Sequence, residues 1–241
     1  MKLLLLPSNL DSSPHSLHLW FARIDESIKH LEHTIYALLS PSEKERLYSI
    51  KSTNKKSEYL ISRALMRHAL SQQFQSPEND WDFIEVSNSQ PLISNLPEDT
   101  YFSLSHRNNY ISFALFNHPI GIDIETVGIK RNYLQLSEIF MNEDEINILK
   151  QDEVNQADNF YRFWCAKEAY YKAIPSSEQS TFSISEVSVP TLIKNNEGWL
   201  LFEGKTECLR LSVVTNKKPT AISYNNFPST VGICHPKLQL N

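Results

Sequence analysis

The period of the apolar positions changes along the chain, and each change marks an element. Ser40-Pro41-Ser42-Glu43 has the form of a capping box with proline in the first turn, so a helix is predicted to start at Pro41. A second helix is predicted over residues 55–74, with an apolar side through Ile61, Ala64, Leu65 and Ala69 and with Arg63 and Arg67 one turn apart on a neighbouring face. Period-two alternation then takes over. Residues 101–106 and 111–115 read as a hairpin linked by Arg107-Asn108-Asn109, and residues 120–125 read as a third strand. On that strand Asp123 and Glu125 share one face, Ile122 and Ile124 the other. Asn142-Glu143-Asp144-Glu145 resembles a second capping box, and a long helix is predicted over residues 158–174, ending before Pro175. The closing third alternates strand-like runs with turns. Each half sets a capped helix roughly 20 residues ahead of the working part of a second helix, which hints at an internal duplication. The boundary falls near His118, giving subdomains 1–118 and 119–241.

Composition narrows the class. With 241 residues, 41% of them hydrophobic, the chain can bury a sizeable core as one large domain or two small ones. A formal charge of −5 argues against a nucleic-acid partner, which usually needs a basic face. Cys165, Cys208 and Cys234 are far apart and form no C-x-x-C pair, so neither a disulfide framework nor a zinc site is indicated, and a reducing cytoplasm fits. Leu3 to Leu6 imitates the start of a signal peptide, but Pro7 ends the run, which reads as an edge strand. No segment approaches the roughly 20 apolar residues of a membrane span.

Two segments carry candidate chemistry. Paired carboxylates on an otherwise apolar strand are costly unless a cation or hydrogen-bond donors receive them, and magnesium suits carboxylates combined with substrate phosphate oxygens. The alternative is that Asp123 and Glu125 are solvated side chains of an edge strand. On the long helix Trp164, Glu168 and Lys172 recur at four-residue spacing, so an acid and a base share a face. They could equally form a surface ion pair worth a few tenths of a kcal/mol. His15 with His18, and His30 with His33, have metal-like spacing but no third ligand nearby. Cys165 reads as a packed small residue, and Lys55-Lys56 as a solvated pair.

Gly121-Ile122-Asp123-Ile124-Glu125 and Trp164 to Lys172, in this order and some forty residues apart, resemble the G-[I/V]-D-[I/V]-E strand and W-x-x-K-E-x-x-x-K helix of the surfactin-type phosphopantetheinyl transferases. Phe102-Ser103-Leu104-Ser105-His106 is similar to that family's serine-histidine strand, and Leu39 through Arg67 to its opening helical pair. The resemblance covers roughly residues 38–174. It implies an α+β fold of two similar subdomains related by a pseudo-twofold, with the cofactor in the cleft between them, and a chain that works as a monomer. It also implies transfer of 4′-phosphopantetheine from coenzyme A to a serine of an apo carrier protein, with release of adenosine 3′,5′-bisphosphate.

On this resemblance Asp123, Glu125 and Glu168 would hold magnesium with the pyrophosphate of coenzyme A, and Lys172 would contact that pyrophosphate. His106, with Ser105 beside it, would sit at the adenosine end near the 3′-phosphate, which Arg46 and Arg63 would help neutralise. The serine proton would pass to Glu168 or to a metal-bound water, while Lys167 would support the site or lie on the helix surface. Residues 127–141 would help dock the acidic carrier through Lys130 and Arg131, with Ile139 and Phe140 expected in the core. Two departures stand out: Ser89-Gln90-Pro91 replaces the family's usual G-K-P, and Ala173-Ile174-Pro175 follows the helix where a glycine is usual. A magnesium-dependent phosphodiesterase acting without a carrier, or a coenzyme A sensor, would be the alternatives.

Overall fold

Along Ser16–Arg23 every residue but the last is buried, because alternate side chains enter two different cores. Leu17, Leu19 and Phe21 face one, Trp20 and Ala22 the other. This central strand, β1, sets the layering in the computed structural model, which describes residues 15–25, 28, 31–86, 90–128, 131–194, 198–228 and 233–240. The elements that follow are α1 (Glu32–Leu38), α2 (Pro41–Ser49), α3 (Thr53–Phe74), the short ribbon β2 (Phe83–Ile84) with β3 (Leu92–Ile93), β4 (Tyr101–Arg107), β5 (Tyr110–Phe116) and β6 (Ile120–Thr126). Then come α4 (Tyr133–Phe140), α5 (Glu143–Gln151), α6 (Gln156–Ala173), α7 (Ser176–Gln179), α8 (Val189–Ile193), β7 (Leu200–Lys205), β8 (Leu209–Thr215), β9 (Ala221–Phe227) and β10 (Gln239–Leu240). The leucine run at residues 3–6 lies outside the described residues.

The strands form two four-stranded sheets, ordered β4-β5-β1-β9 and β10-β7-β8-β6. Helix α3 packs on the outer face of the first sheet, around Ile61, Leu65 and Trp20, and α6 on the outer face of the second, around Phe163, Ala166 and Val214. The inner faces meet through Leu17, Leu19, Phe21, Ile122, Ile124, Leu211 and Val213. The result is four layers of mixed α/β structure. Sheet membership does not divide at residue 118, since β9 crosses back to run parallel beside β1.

Where the two sheets adjoin, edge strands β4 and β6 lie side by side without a backbone ladder. Hydroxyls of β4 replace it: Ser103 Oγ accepts from the Ile122 amide at 3.0 Å and Ser105 Oγ from the Ile124 amide at 3.2 Å. Unpaired edge amides are thereby satisfied, and β6 is held where its acidic face meets α6. The approach of α6 requires Gly121, because a β-carbon there would lie 1.8 Å from Ala169 O.

Both predicted capping boxes form, and both glutamates do more than cap. Glu43 accepts from the Ser40 amide at 2.8 Å and, fully buried, takes a bidentate pair from Arg67 at 2.9 and 2.6 Å. Glu145 accepts from the Asn142 amide at 3.2 Å and pairs with the equally buried Lys167 at 2.8 Å. Arg63 and Arg67 are therefore buried participants and not a helix surface. Lys167 also donates to Val187 O and to Ile184 O, so it anchors α6 to the segment before α8 and does not lie on the helix surface.

Candidate active site

Asp123 of the acidic face of β6 lies behind Lys172, which with Glu168 of α6 lines one side of a cleft of about 670 Å³. Its opposite wall comes from α2, α3 and the β2–β3 ribbon, through Arg46, Glu58, Arg63, Glu85 and Gln90. His106, Glu168 and Lys172 reach it from β4 and α6.

Asp123 is 5% exposed and Glu125 6%, which rules out the reading of solvated edge carboxylates. Asp123 Oδ1 accepts from Ser105 Oγ at 2.7 Å and from Lys172 Nζ at 2.7 Å, while its Oδ2 is buried with no partner. Glu125 Oε1 accepts from the Trp164 indole at 3.0 Å. Arg107 Nε lies 2.8 Å from Glu125 Oε2 but not along its N–H direction, so the contact is an ion pair without a directed hydrogen bond. Burial, reinforced by the charge of Asp123, pushes the Glu125 pKa up to about 7. Burial also raises Glu168, with Lys172 opposing and Asp123 adding to the rise. Burial works against the charge of Lys172, but Asp123 more than offsets it and holds the ammonium above its ordinary pKa. On His106 burial wins over the attraction of Glu58, and the imidazole is held below its ordinary value.

A fixed ammonium beside a buried acid, with a second raised carboxyl one helical turn away, is an arrangement suited to gripping a phosphate ester and accepting a proton. A sequence profile described as the 4′-phosphopantetheinyl transferase superfamily matches residues 119–225, which carry Asp123, Glu125, Glu168 and Lys172. That match, over less than half of the chain, is a likeness to the superfamily's domain. The chain is 30% identical over 137 residues to the 4′-phosphopantetheinyl transferase Sfp of Bacillus subtilis (strain 168), a match covering 56% of this chain and 60% of that protein. It is 29% identical over 223 residues to the 4′-phosphopantetheinyl transferase gsp of Aneurinibacillus migulanus, covering 86% and 91%. With HetI of Nostoc sp. (strain PCC 7120 / SAG 25.82 / UTEX 2576), also a 4′-phosphopantetheinyl transferase, it shares 25% over 206 residues.

In the site, the structure sets Lys172 against Asp123, with Glu125 and Glu168 close enough to feel the charge of Asp123, and changes some of their expected partners. Lys172 turns to Asp123 and not to Glu168, because β6 offers a deeper carboxylate than the helix surface does. Ser105 faces Asp123 and not the cleft, since adjacent residues of a strand point to opposite sides. His106, on the other side, enters the cleft with Nδ1 3.1 Å from Glu58. Arg46 is exposed at the far wall, and Arg63 reaches the cleft with its guanidinium already 2.8 Å from Glu85 and 3.5 Å from Glu43. Lys55 also lines the cleft, paired with Glu58 at 2.8 Å.

Other expectations are corrected or refined in the same way. Ile139 is 72% exposed and not in the core, because α4 rests on Tyr133, Leu136 and Phe140; Phe140 packs on Trp164 with ring centroids 4.2 Å apart. Lys130 lies outside the described residues. The Cys165 thiol is fully buried and donates to Asp123 O at 3.2 Å. His18 is bonded to Ser223 at 2.7 Å and His15 to Asn117 at 2.8 Å, and among the described residues no three His, Cys, Asp or Glu side chains are grouped as metal ligands. Sequence reasoning missed Arg107, Ser103 and Glu58. For Ser103 a signal existed in the Ser-x-Ser alternation of β4; for the two charged residues none did, since their roles depend on strands and helices that meet only in the fold.

Proposed function

We propose that the protein transfers the 4′-phosphopantetheine group of coenzyme A to a serine of an apo carrier protein in a magnesium-dependent reaction, releasing adenosine 3′,5′-bisphosphate. The carrying observation is Asp123: a buried carboxylate with one oxygen held by Ser105 and by Lys172, which lines the cleft, and the other without a hydrogen-bond partner among the described residues. The matched stretches span 60% and 64% of the first two curated relatives, so their activity is carried to this chain as part of the proposal.

The donor set fits a hard cation. Among the described residues Asp123 Oδ2 has no hydrogen-bond partner and the Glu168 carboxyl accepts no hydrogen bond, and both bear the hard oxygen ligands that magnesium takes. Asp123, Glu125 and Glu168 are not drawn together as a three-ligand group among the described residues, so to hold the ion they would have to converge, with Arg107 leaving Glu125 Oε2. When bound, the ion supplies charge neutralisation for the pyrophosphate and the leaving nucleotide. Lys172, held between Ile122 O and Asp123 and facing the cleft, grips the pyrophosphate and orients it in line with the incoming serine. Glu168, whose proton affinity burial has raised, takes the serine proton as the oxygen–phosphorus bond forms. Ser105 fixes the rotamer of Asp123, and Trp164 that of Glu125. His106 and Arg46 lie toward the nucleotide.

The same reading includes a monomer acting in the cytoplasm, with halves 1–118 and 119–241 related by a pseudo-twofold. The paired anchors Glu43–Arg67 and Glu145–Lys167 support that symmetry, each joining a capping-box glutamate to the long helix that follows. Among the described residues no helix is long and apolar enough to cross a membrane. The test is to incubate protein, coenzyme A and magnesium with and without apo carrier and to measure released adenosine 3′,5′-bisphosphate. Release only with carrier supports transfer; release at the same rate without it identifies a phosphodiesterase, and none in either case identifies a binding protein.

A further inference from the structure

The cations at the donor end of the cleft are held by carboxylates of the chain itself. Lys55 Nζ lies 2.8 and 2.9 Å from the two oxygens of Glu58, whose Oε1 is also 3.1 Å from His106 Nδ1. Glu85 takes the Arg63 guanidinium at 2.8 Å and the Tyr59 hydroxyl at 2.8 Å, and Glu43 stands 3.5 Å from Arg63 on its other side. Glu58 and Glu85 line the cleft beside the cations they bind, and Gln90 contributes no charge. Among the described cleft residues at this end, only Arg46 is a cation without an ion pair.

A cation beside its own carboxylate offers an incoming phosphate a dipole and not a charge. At contact distance a carboxylate about 3 Å behind the nitrogen takes back roughly half of its attraction, and more where the carboxylate lies beside the phosphate, as Coulomb's law requires. A phosphate monoester entering here must also disturb Glu58 or Glu85. The pyrophosphate, by contrast, meets Lys172 at the cleft floor, where the chemistry takes place.

Resting on the transferase reading above, we propose that the donor end gives the ribose 3′-phosphate of coenzyme A little net attraction, so that 3′-dephospho-coenzyme A is also a donor, with Glu58 the residue that sets this breadth. The step is unchanged. The serine oxygen–phosphorus bond forms, the pyrophosphate P–O bond breaks, the serine proton passes to Glu168, and adenosine 5′-monophosphate leaves instead of the bisphosphate.

The experiment measures kcat/KM for each donor with one apo carrier, and the equilibrium dissociation constant of each donor, for the wild type and for Glu58→Gln. The wild type is expected to use the two donors within about threefold of one another, and Glu58→Gln to raise the preference for coenzyme A to about tenfold by freeing Lys55 of its counter-charge. A wild-type preference above about a hundredfold, or a ratio that Glu58→Gln leaves unchanged, overturns the proposal. If neither donor is transferred, the transferase reading fails separately. Donor breadth is then decided by the dissociation constants: similar values support it, and a strong preference for coenzyme A or no binding of either overturns it.

Discussion

Gly121→Ala tests whether the packing of α6 on β6 sets the geometry of the site. The added β-carbon would stand 1.8 Å from Ala169 O, 2.7 Å from Ala173 N and 2.9 Å from Ala169 C. All three are backbone atoms of α6, so no side-chain rotation relieves the clash. To reach ordinary contact the helix and strand must part by about 1.6 Å, the difference between 1.8 and 3.4 Å. Overpacking of this kind costs about 1–3 kcal/mol, and a clash with backbone belongs at the upper end of that range. The same movement carries Lys172 Nζ, now 2.7 Å from Asp123 Oδ1, out of hydrogen-bond range and shifts Glu168 with it. Misplacing reacting groups by about 1 Å costs on the order of a hundredfold in rate. Thermal denaturation gives the first quantity and kcat/KM for coenzyme A the second. Gly204→Ala is the control, because its β-carbon would meet Lys237 O at 2.7 Å on the tail segment and touches neither β6 nor α6. It should lower the Tm while holding kcat/KM within about twofold. Wild-type turnover in Gly121→Ala, or equal losses of turnover in both variants, would refute the reasoning.

Three further outcomes follow from the same geometry. Lys172→Ala should lower turnover strongly and also cost about 1–3 kcal/mol of stability, because it strips the cation from a buried Asp123 and not from an exposed helical pair; a stability change near zero would place the ammonium elsewhere. Changing Lys130 and Arg131 to glutamate should raise the KM for carrier while leaving that for coenzyme A unchanged, and equal effects on both would move carrier docking away from this segment. Asp158 is raised by burial, but hydrogen bonds from Arg210 and Lys205 outweigh that and hold its pKa below the ordinary value. Its folded pKa being depressed, it contributes stability above its unfolded pKa, and this is lost as pH falls through the folded value. Asp158→Asn should therefore be less stable than the wild type at neutral pH, with the difference closing below about pH 4, as urea titrations across pH would show.

Elements bounded by explicit caps or turn residues were legible in the sequence. The hairpin, the Ile120 strand, both capping boxes and the long helix fall within two residues of their expected bounds, because turn residues and caps mark their ends. Strand β1 was not read: it is buried on both faces, as β5 and β6 are, but carries no turn signal that ties it to a neighbouring strand in sequence. Nor was its pairing with β9, which joins residues some two hundred positions apart. In the site, residue types were legible but partners were not. Helical spacing offered Glu168 to Lys172, whereas the fold supplies Asp123; the family resemblance set Ser105 beside His106 at the nucleotide, whereas the strand turns them apart. Arg63 and Arg67 could be placed one turn apart on a helix face but not with their acceptors, because Glu43 and Glu85 lie on other elements.

The central claim is that the carboxylates of β6 and α6 serve a metal-dependent transfer from coenzyme A to a carrier serine. Intact-mass analysis of several apo carrier proteins, each incubated with the protein, coenzyme A and magnesium, tests it most directly when repeated with excess chelator and with Asp123→Ala. The account predicts that at least one carrier gains the mass of one phosphopantetheine, and that both the chelator and the substitution abolish the gain. Undiminished modification in excess chelator, or modification by Asp123→Ala at the wild-type rate, would contradict it.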